Sequence, residues 1–304
     1  MAHDRIRVAI LGSGNIGIDL GERLLVDDDF EVVAIAGRRP DSPGLHRFDG
    51  RIPLVASNGI AGLIPHFDYL DGVFDATSSF DHPEHWAITK AHGKWIIDLT
   101  PSSIGRPTVP CLVDRVDSMH LNPGVEPDNL SMISCGGQSS GPLLYAITQG
   151  VSGIQEVEVS ISVSSGSAGP ATRRNIDHYI EATEALAAQV TGCERAKAIL
   201  VLNPADPPVM MRTTAIVQAD VIDLEAVHIA CAEMVAEVQH AVHGYDLAVE
   251  PHLLSENLVS VTARVIGAGF YLPPHAGNLD IINSAAVESA RIIGRHHLLA
   301  EAQS

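Results

Sequence analysis

The chain opens on a short apolar run, RIRVAIL (residues 5–11). It breaks at once into GSGNIG and then into IDLGERLLV (18–26), where apolar positions recur at helical spacing. A second apolar run, FEVVAIAG (30–37), follows. Unbroken runs of this length between helical stretches predict strands buried on both faces, and therefore a parallel sheet. GVFDAT (72–77), WIIDLT (95–100) and LSMIS (130–134) extend the series, with the helical DHPEHWAITKAHG between the first two. The alternation predicts a Rossmann-type, doubly wound α/β domain, whose ligands bind beyond the carboxyl ends of the strands.

The pattern changes after Ile154. EVEVSISV (156–163) alternates polar and apolar residues, as a strand covered on one face does. A helix is expected over 173–190, carrying Ile176, Ile180, Ala187 and Val190 on its apolar side. KAILVL and AIVQADV read as strands flanking NPADPPVMM, the stretch 224–242 as an amphipathic helix, and LVSVTARVIG as a further strand. These elements predict an α+β substrate and dimerisation domain around one antiparallel or mixed sheet. The final periodic stretch, with Ile281, Ile282, Ala286, Ala290 and Ile293, predicts a C-terminal helix that packs back on the first domain. The expected division is 1–134 plus about 275–304 as a dinucleotide-binding domain, and 135–274 as a catalytic, substrate and oligomerisation domain.

Composition narrows the function classes. With 304 residues, 46% hydrophobic and 18% charged, the chain can bury two cores. A net charge of −18, from 37 acidic and 19 basic residues, disfavours nucleic acid and anionic membrane surfaces as partners. No leader-like segment and no long apolar run appears, so a cytoplasmic protein is expected. The four cysteines (Cys111, Cys135, Cys193, Cys231) form no C-x-x-C pair, and His82, His85 and His92 show no metal-ligand spacing. Free thiols and no metal are expected.

The candidate chemistry gathers at the strand ends. Gly12-x-Gly14-x-x-Gly17, directly after a strand and opening a helix, is the context of a dinucleotide turn. Gly12 serves the tight turn, Gly14 the approach of a pyrophosphate, and Gly17 the packing of helix on strand. After the second strand, where an acidic residue would hold a ribose 2′-hydroxyl, stand Arg38 and Arg39, either a 2′-phosphate site or a solvated loop. Thr77, Ser78, Thr100, Pro101 and Cys135 all fall at strand ends and share one crevice. Cys111, Cys193 and Cys231 read as small buried hydrophobes. Cys135 precedes Gly136, Gly137 and a helix expected to begin near Pro142, a setting that favours a thiolate nucleophile. Beside a nicotinamide, a thiolate can add to an aldehyde, the hemithioacetal can give hydride to the cofactor, and a thioester remains.

VAILGSGNIGIDL, FDATS, IDLTPSSIG, ISCGGQ, SAGPATRRNID, KAILVLNPADPPVMMR and YLPPHAGNLDI, in this order over nearly the whole chain, resemble the CoA-acylating acetaldehyde and propanal dehydrogenases. These are the partners of 4-hydroxy-2-oxovalerate aldolases. The resemblance implies that Cys135 carries the acyl thioester and that Ser13, Gly14, Asn15 and Ile16 form the pyrophosphate turn. It also implies a second cofactor loop of Ser167, Ala168, Gly169, Pro170, Ala171, Thr172, Arg173, Arg174 and Asn175, with Asn278 at the nicotinamide end. Coenzyme A would take the acyl group, an aldolase would deliver the aldehyde, and the protein would form a homodimer or higher oligomer.

Three departures from the family pattern stand out. Arg39 occupies the place of an acidic residue, which leans from NAD towards NADP. Thr213 follows the MMR arginine where the family has an aspartate thought to activate the cysteine, and threonine cannot act as a carboxylate base. CGGQ continues as SSGP, and the region before YLPP is short. Two rival readings follow: a diverged reductase that turns an unusual acyl thioester into an aldehyde, and a cofactor-binding aldolase partner with little catalysis.

Overall fold

The structure, a computed structural model, describes residues 5–120 and 128–303, with the side chains of 170, 171 and 296–303 outside the description. The first sheet contains β1 (Ile6–Leu11), β2 (Phe30–Ala36), β3 (Leu54–Ala56), β4 (Gly72–Asp75), β5 (Trp95–Asp98), β6 (Arg106–Pro107) and β7 (Asn129–Ser131). All its pairings are parallel, in the order β3-β2-β1-β4-β5-β7-β6. The apolar runs seen in the sequence are buried on both faces, so each face builds a core. On one side Val8, Ile10, Phe74 and Ile97 pack with Leu20, Ile282, Ala286 and Ile293. On the other, Ala9, Leu11, Val73 and Ile96 pack with Leu63, Phe67 and Leu70.

The helices are α1 (Asn15–Leu24), α2 (Pro43–His46), α3 (His82–Ala91), α4 (Cys135–Thr148), α5 (Pro170–Arg174), α6 (Ile176–Thr191), α7 (Leu224–Gln239) and α8 (Gly277–Gln303). The second sheet holds β8 (Val151–Ser164), β9 (Ala196–Asn203), β10 (Met211–Ile222), β11 (Tyr245–Ser255) and β12 (Leu258–Val265), in the order β11-β12-β10-β8-β9. It is mixed, because β8 and β9 run parallel while the other pairs are antiparallel. Alternate residues of its three central strands (Val159, Ile161, Ala215, Val217, Val261, Ala263) face Leu143, Leu144, Ile147, Val227 and Cys231 of α4 and α7. The expected α/β domain, mixed second sheet and returning C-terminal helix are all present. Among the described residues no helix is long and apolar enough to cross a membrane.

Three elements differ from expectation. The helix after Cys135 begins at Cys135 itself rather than near Pro142, which lies inside it. The helix expected over 173–190 is broken at Asn175 into α5 and α6. The strand β11 carries no clean alternation, and its pairing with β12 shifts register three times.

Candidate active site

Three neighbouring strands of the first sheet end in the same way, each closed by its last side chain. Thr77 donates its backbone N–H to Asp75 Oδ1 (3.1 Å), Thr100 to Asp98 Oδ1 (2.8 Å), and Ile133 to Ser131 Oγ (3.2 Å). Such side-chain turns peel the backbone out of the sheet and satisfy N–H groups that the ladder no longer pairs. The segments that follow form the floor of a crevice. Ile133 leaves its turn at φ +62°, a left-handed conformation that costs a β-branched residue about 1–3 kcal/mol. That sharp bend starts α4 at once.

Ser134 caps α4 by accepting the Gly137 N–H at 2.8 Å, and so Cys135 occupies the first helical position. The cysteine packs against both the first-domain core and the second-domain core, at the seam between the two sheets. It is half-buried, with one side on a chamber of about 80 Å³ lined also by Thr77, Ser78, Thr100, Pro101, Ile133, Asn175, Tyr179 and Asn278. Burial pushes the Cys135 thiol above its ordinary range, while the Tyr179 hydroxyl and the N–H groups of Gly136 and Cys135 pull it down less strongly. The depressed thiol expected from the helix end is therefore outweighed by desolvation.

The chamber opens into a groove of about 780 Å³, and Ile16, Ala76, Thr77, Thr172 and Leu279 belong to both. Gly12, Ser13, Gly14, Asn15, Arg38, Arg39, Ser167 and Gly169 line this larger groove. A Cβ at Gly17 would lie 2.0 Å from the Gly12 carbonyl oxygen, whereas one at Gly14 would meet nothing within 4 Å. Gly17 thus belongs to the packing of α1 on its strand, and Gly14 opens backbone to the groove. Arg38 stands 3.3 Å from Asp81 and Arg39 3.9 Å from Asp41, both as exposed pairs at the rim. Thr100 Oγ1 and Asn278 Oδ1 are buried without hydrogen-bond partners, and both residues line the chamber. Orphaned buried polar atoms at the end of a glycine-turn groove suit the amide end of a nicotinamide dinucleotide.

The remaining sequence candidates sit differently. Ala168 is buried outside both cavities, and Arg173 is used as a clamp, its guanidinium donating to the Ala168 carbonyl (3.1 Å) and the Ser165 carbonyl (2.8 Å). Arg174 is exposed, and the side chains of Pro170 and Ala171 lie outside the described residues. Thr213 is wholly buried on β10 opposite Ile161, lines neither cavity, and its hydroxyl has no partner.

Sequence reasoning missed Tyr179 and the charge cluster beneath the floor. His82 and His85 place their Nδ1 atoms 2.9 and 2.8 Å from Asp75 Oδ2. Burial would raise Asp75, but the bonds from His82, His85 and Thr77 hold it down at about 2. Burial pushes Asp98 up to about 6, with the Asp75 charge adding to the rise. His82 is raised, since Asp75 and Asp98 outweigh its own burial. Only the D-x-T repeats at residues 75–77 and 98–100 could have signalled these turns.

Comparison with known proteins places these features in context. Residues 135–273 match the family described as prokaryotic acetaldehyde dehydrogenase, dimerisation. An acetaldehyde dehydrogenase of Burkholderia pseudomallei (strain 668) is 43% identical over 94% of both chains. One from Geobacillus stearothermophilus is 39% identical over 98% of this chain and 99% of its own, and one from Pectobacterium atrosepticum 40% over 95% and 96%. In fold, the chain is similar to aspartate semialdehyde dehydrogenase II from Vibrio cholerae, with a TM-score of 0.64 at 13% identity, covering 96% of this chain and 99% of that one.

Proposed function

Because the chain belongs to the acetylating acetaldehyde dehydrogenase family of aldehyde oxidoreductases, we propose that it converts a short-chain aldehyde, acetaldehyde or propanal, to its acyl-CoA through Cys135. The observation that carries this reading is the position of Cys135: first residue of α4, at the seam of the two cores, on a chamber continuous with the glycine-turn groove. Its sulfur adds to the aldehyde carbon, and the resulting thiohemiacetal is oxidised to a thioester. Coenzyme A then takes the acyl group and frees the cysteine.

A nicotinamide dinucleotide, when bound, supplies the hydride acceptor. The backbone of Gly12, Ser13, Gly14, Asn15 and Ile16 would hold its pyrophosphate at the N-terminus of α1, and Thr100 and Asn278 its amide. Ser167, Gly169 and Thr172 would close the groove from the second domain. Arg38 and Arg39, held only in weak exposed pairs, are free to meet a 2′-phosphate and favour NADP over NAD. The matched dimerisation region supports a homodimer, and the motif resemblance supports delivery of the aldehyde by an aldolase.

Cys135→Ala should abolish CoA-dependent NAD(P)H formation from acetaldehyde and propanal, and wild-type protein quenched without CoA should carry an acyl mass on the Cys135 peptide. Turnover retained by Cys135→Ala overturns the reading.

A further inference from the structure

The Tyr179 hydroxyl lies 3.4 Å from the Cys135 sulfur. Tyr179 sits one turn into α6, 5% exposed, with its hydroxyl end on the chamber wall. Gly136 makes this approach possible, since a Cβ there would come within 2.4 Å of the phenol oxygen. A phenol oxygen carries one proton and two lone pairs. Such an oxygen can accept a proton from the thiol on one lone pair and give its own proton to a group that enters the chamber.

Among the described residues that line the chamber, Tyr179 is the one ionisable side chain besides Cys135. His85, on the neighbouring groove wall, directs Nδ1 to Asp75 and Thr77. Thr213 lies on the sheet beneath, outside the chamber. Among the described residues that line the chamber, no carboxylate or imidazole is therefore in place to take the thiol proton.

We propose that the Tyr179 hydroxyl is a catalytic proton relay for addition of the Cys135 thiol to the aldehyde. As the S–C bond forms, the carbonyl π pair moves to oxygen. The thiol proton passes to the phenol oxygen while the phenol proton passes to the carbonyl oxygen. Thiol and aldehyde thus become a neutral thiohemiacetal, and Tyr179 ends as it began. Burial raises the proton affinity of both groups, so each stays neutral near pH 7 and neither needs to ionise first. The same relay run backwards returns thiol and aldehyde.

The proposal rests on Cys135 being the nucleophile, and the test separates the two. The readout is the single-turnover burst of NAD(P)H from acetaldehyde without CoA, measured from pH 6 to 9. With the relay, the wild-type burst is nearly flat in pH and shows a normal solvent deuterium isotope effect. Tyr179→Phe keeps the ring and should slow the burst by about a hundredfold near pH 7, the scale of general acid–base catalysis. Its residual rate should climb with pH as thiolate forms. Thermal midpoint and NADH binding of Tyr179→Phe check that the variant is folded. A wild-type burst rate and flat profile in Tyr179→Phe overturn the relay while leaving Cys135 as nucleophile. A missing isotope effect on the wild type overturns it even if the variant does not fold. A burst surviving in Cys135→Ala overturns the underlying reading instead.

Discussion

Ser134 and Thr183 meet hydroxyl to hydroxyl at 2.7 Å, one turn of α6 beyond the contact between Tyr179 and Cys135. Residues four apart lie on one helix face, so this single face of α6 docks on the cap of α4. Ser134 also accepts the Gly137 N–H. Ser134→Ala removes both bonds and should cost about 1–2 kcal/mol of stability, seen as a lower urea midpoint with unchanged slope. An unchanged midpoint would mean that the cap does not hold the start of α4.

The last two glycines of the motif, Gly14 and Gly17, should part company when each is changed to alanine. Gly17→Ala drives a Cβ into the Gly12 carbonyl, and should lower both thermal midpoint and NADH affinity. Gly14→Ala meets no protein atom within 4 Å, so it should keep the wild-type midpoint yet bind NADH about tenfold or more weakly, because the methyl occupies the pyrophosphate's approach. Fluorescence titration of NADH, beside thermal melts, measures both. Normal binding by Gly14→Ala would remove the pyrophosphate from this turn.

For the rim arginines the expected outcome is a change of preference, not of fold. Arg39→Asp should lower the NADP-to-NAD ratio of kcat/KM by at least about tenfold, as loss of one charge-assisted bond and gain of a repulsion require. Raising the salt concentration should narrow the wild-type ratio. A ratio that is the same in wild type and variant means that Arg39 reads no 2′-phosphate.

Arg23 holds α8 to α1. Its guanidinium reaches Asp19 at 2.6 Å, Ser284 at 2.9 Å and Asp280, while lying 4.7 Å above the Phe270 ring. Arg23→Met leaves two mostly buried carboxylates without their cation and should cost about 3–5 kcal/mol. Limited proteolysis should then cut α8 early, and resistance equal to wild type would argue against this docking role.

The strand-end carboxylates set opposite pH dependences. Asp98, raised from 3.8 to about 6, binds its proton more tightly in the folded state. Its stabilisation is complete below pH 3.8 and disappears as pH rises through 6. Asp75, lowered from 3.8 to about 2, contributes above pH 3.8 and loses that contribution as pH falls through 2. The wild-type urea midpoint should therefore fall between pH 4 and 6, and Asp98→Asn should flatten that fall. A slope preserved in Asp98→Asn would assign it to another group.

Much of this site was legible in the chain because it is local. The glycine turn follows β1 within a few residues, and the strand ends carry their own turn-closing side chains. The start of α4 was not legible, since Gly136, Gly137 and Pro142 read as helix breakers. Here Gly136 answers a packing demand, the approach of Tyr179, whose hydroxyl meets Cys135 across 44 residues of chain. Local spacing holds no trace of such a contact. Desolvation of Cys135 was equally invisible, because it arises where two cores from opposite halves of the chain meet. The edge strand β11 escaped notice because its bulged pairing erases the period-two pattern.

The groove's walls come from segments that follow strands of separate sheets, with Ile16 and Thr77 on one side and Ser167 and Thr172 on the other. A ligand lying along it would act as a rivet between two bodies. Part of its binding free energy would then appear as mechanical coupling, so that halves able to loosen separately when empty would melt together when loaded.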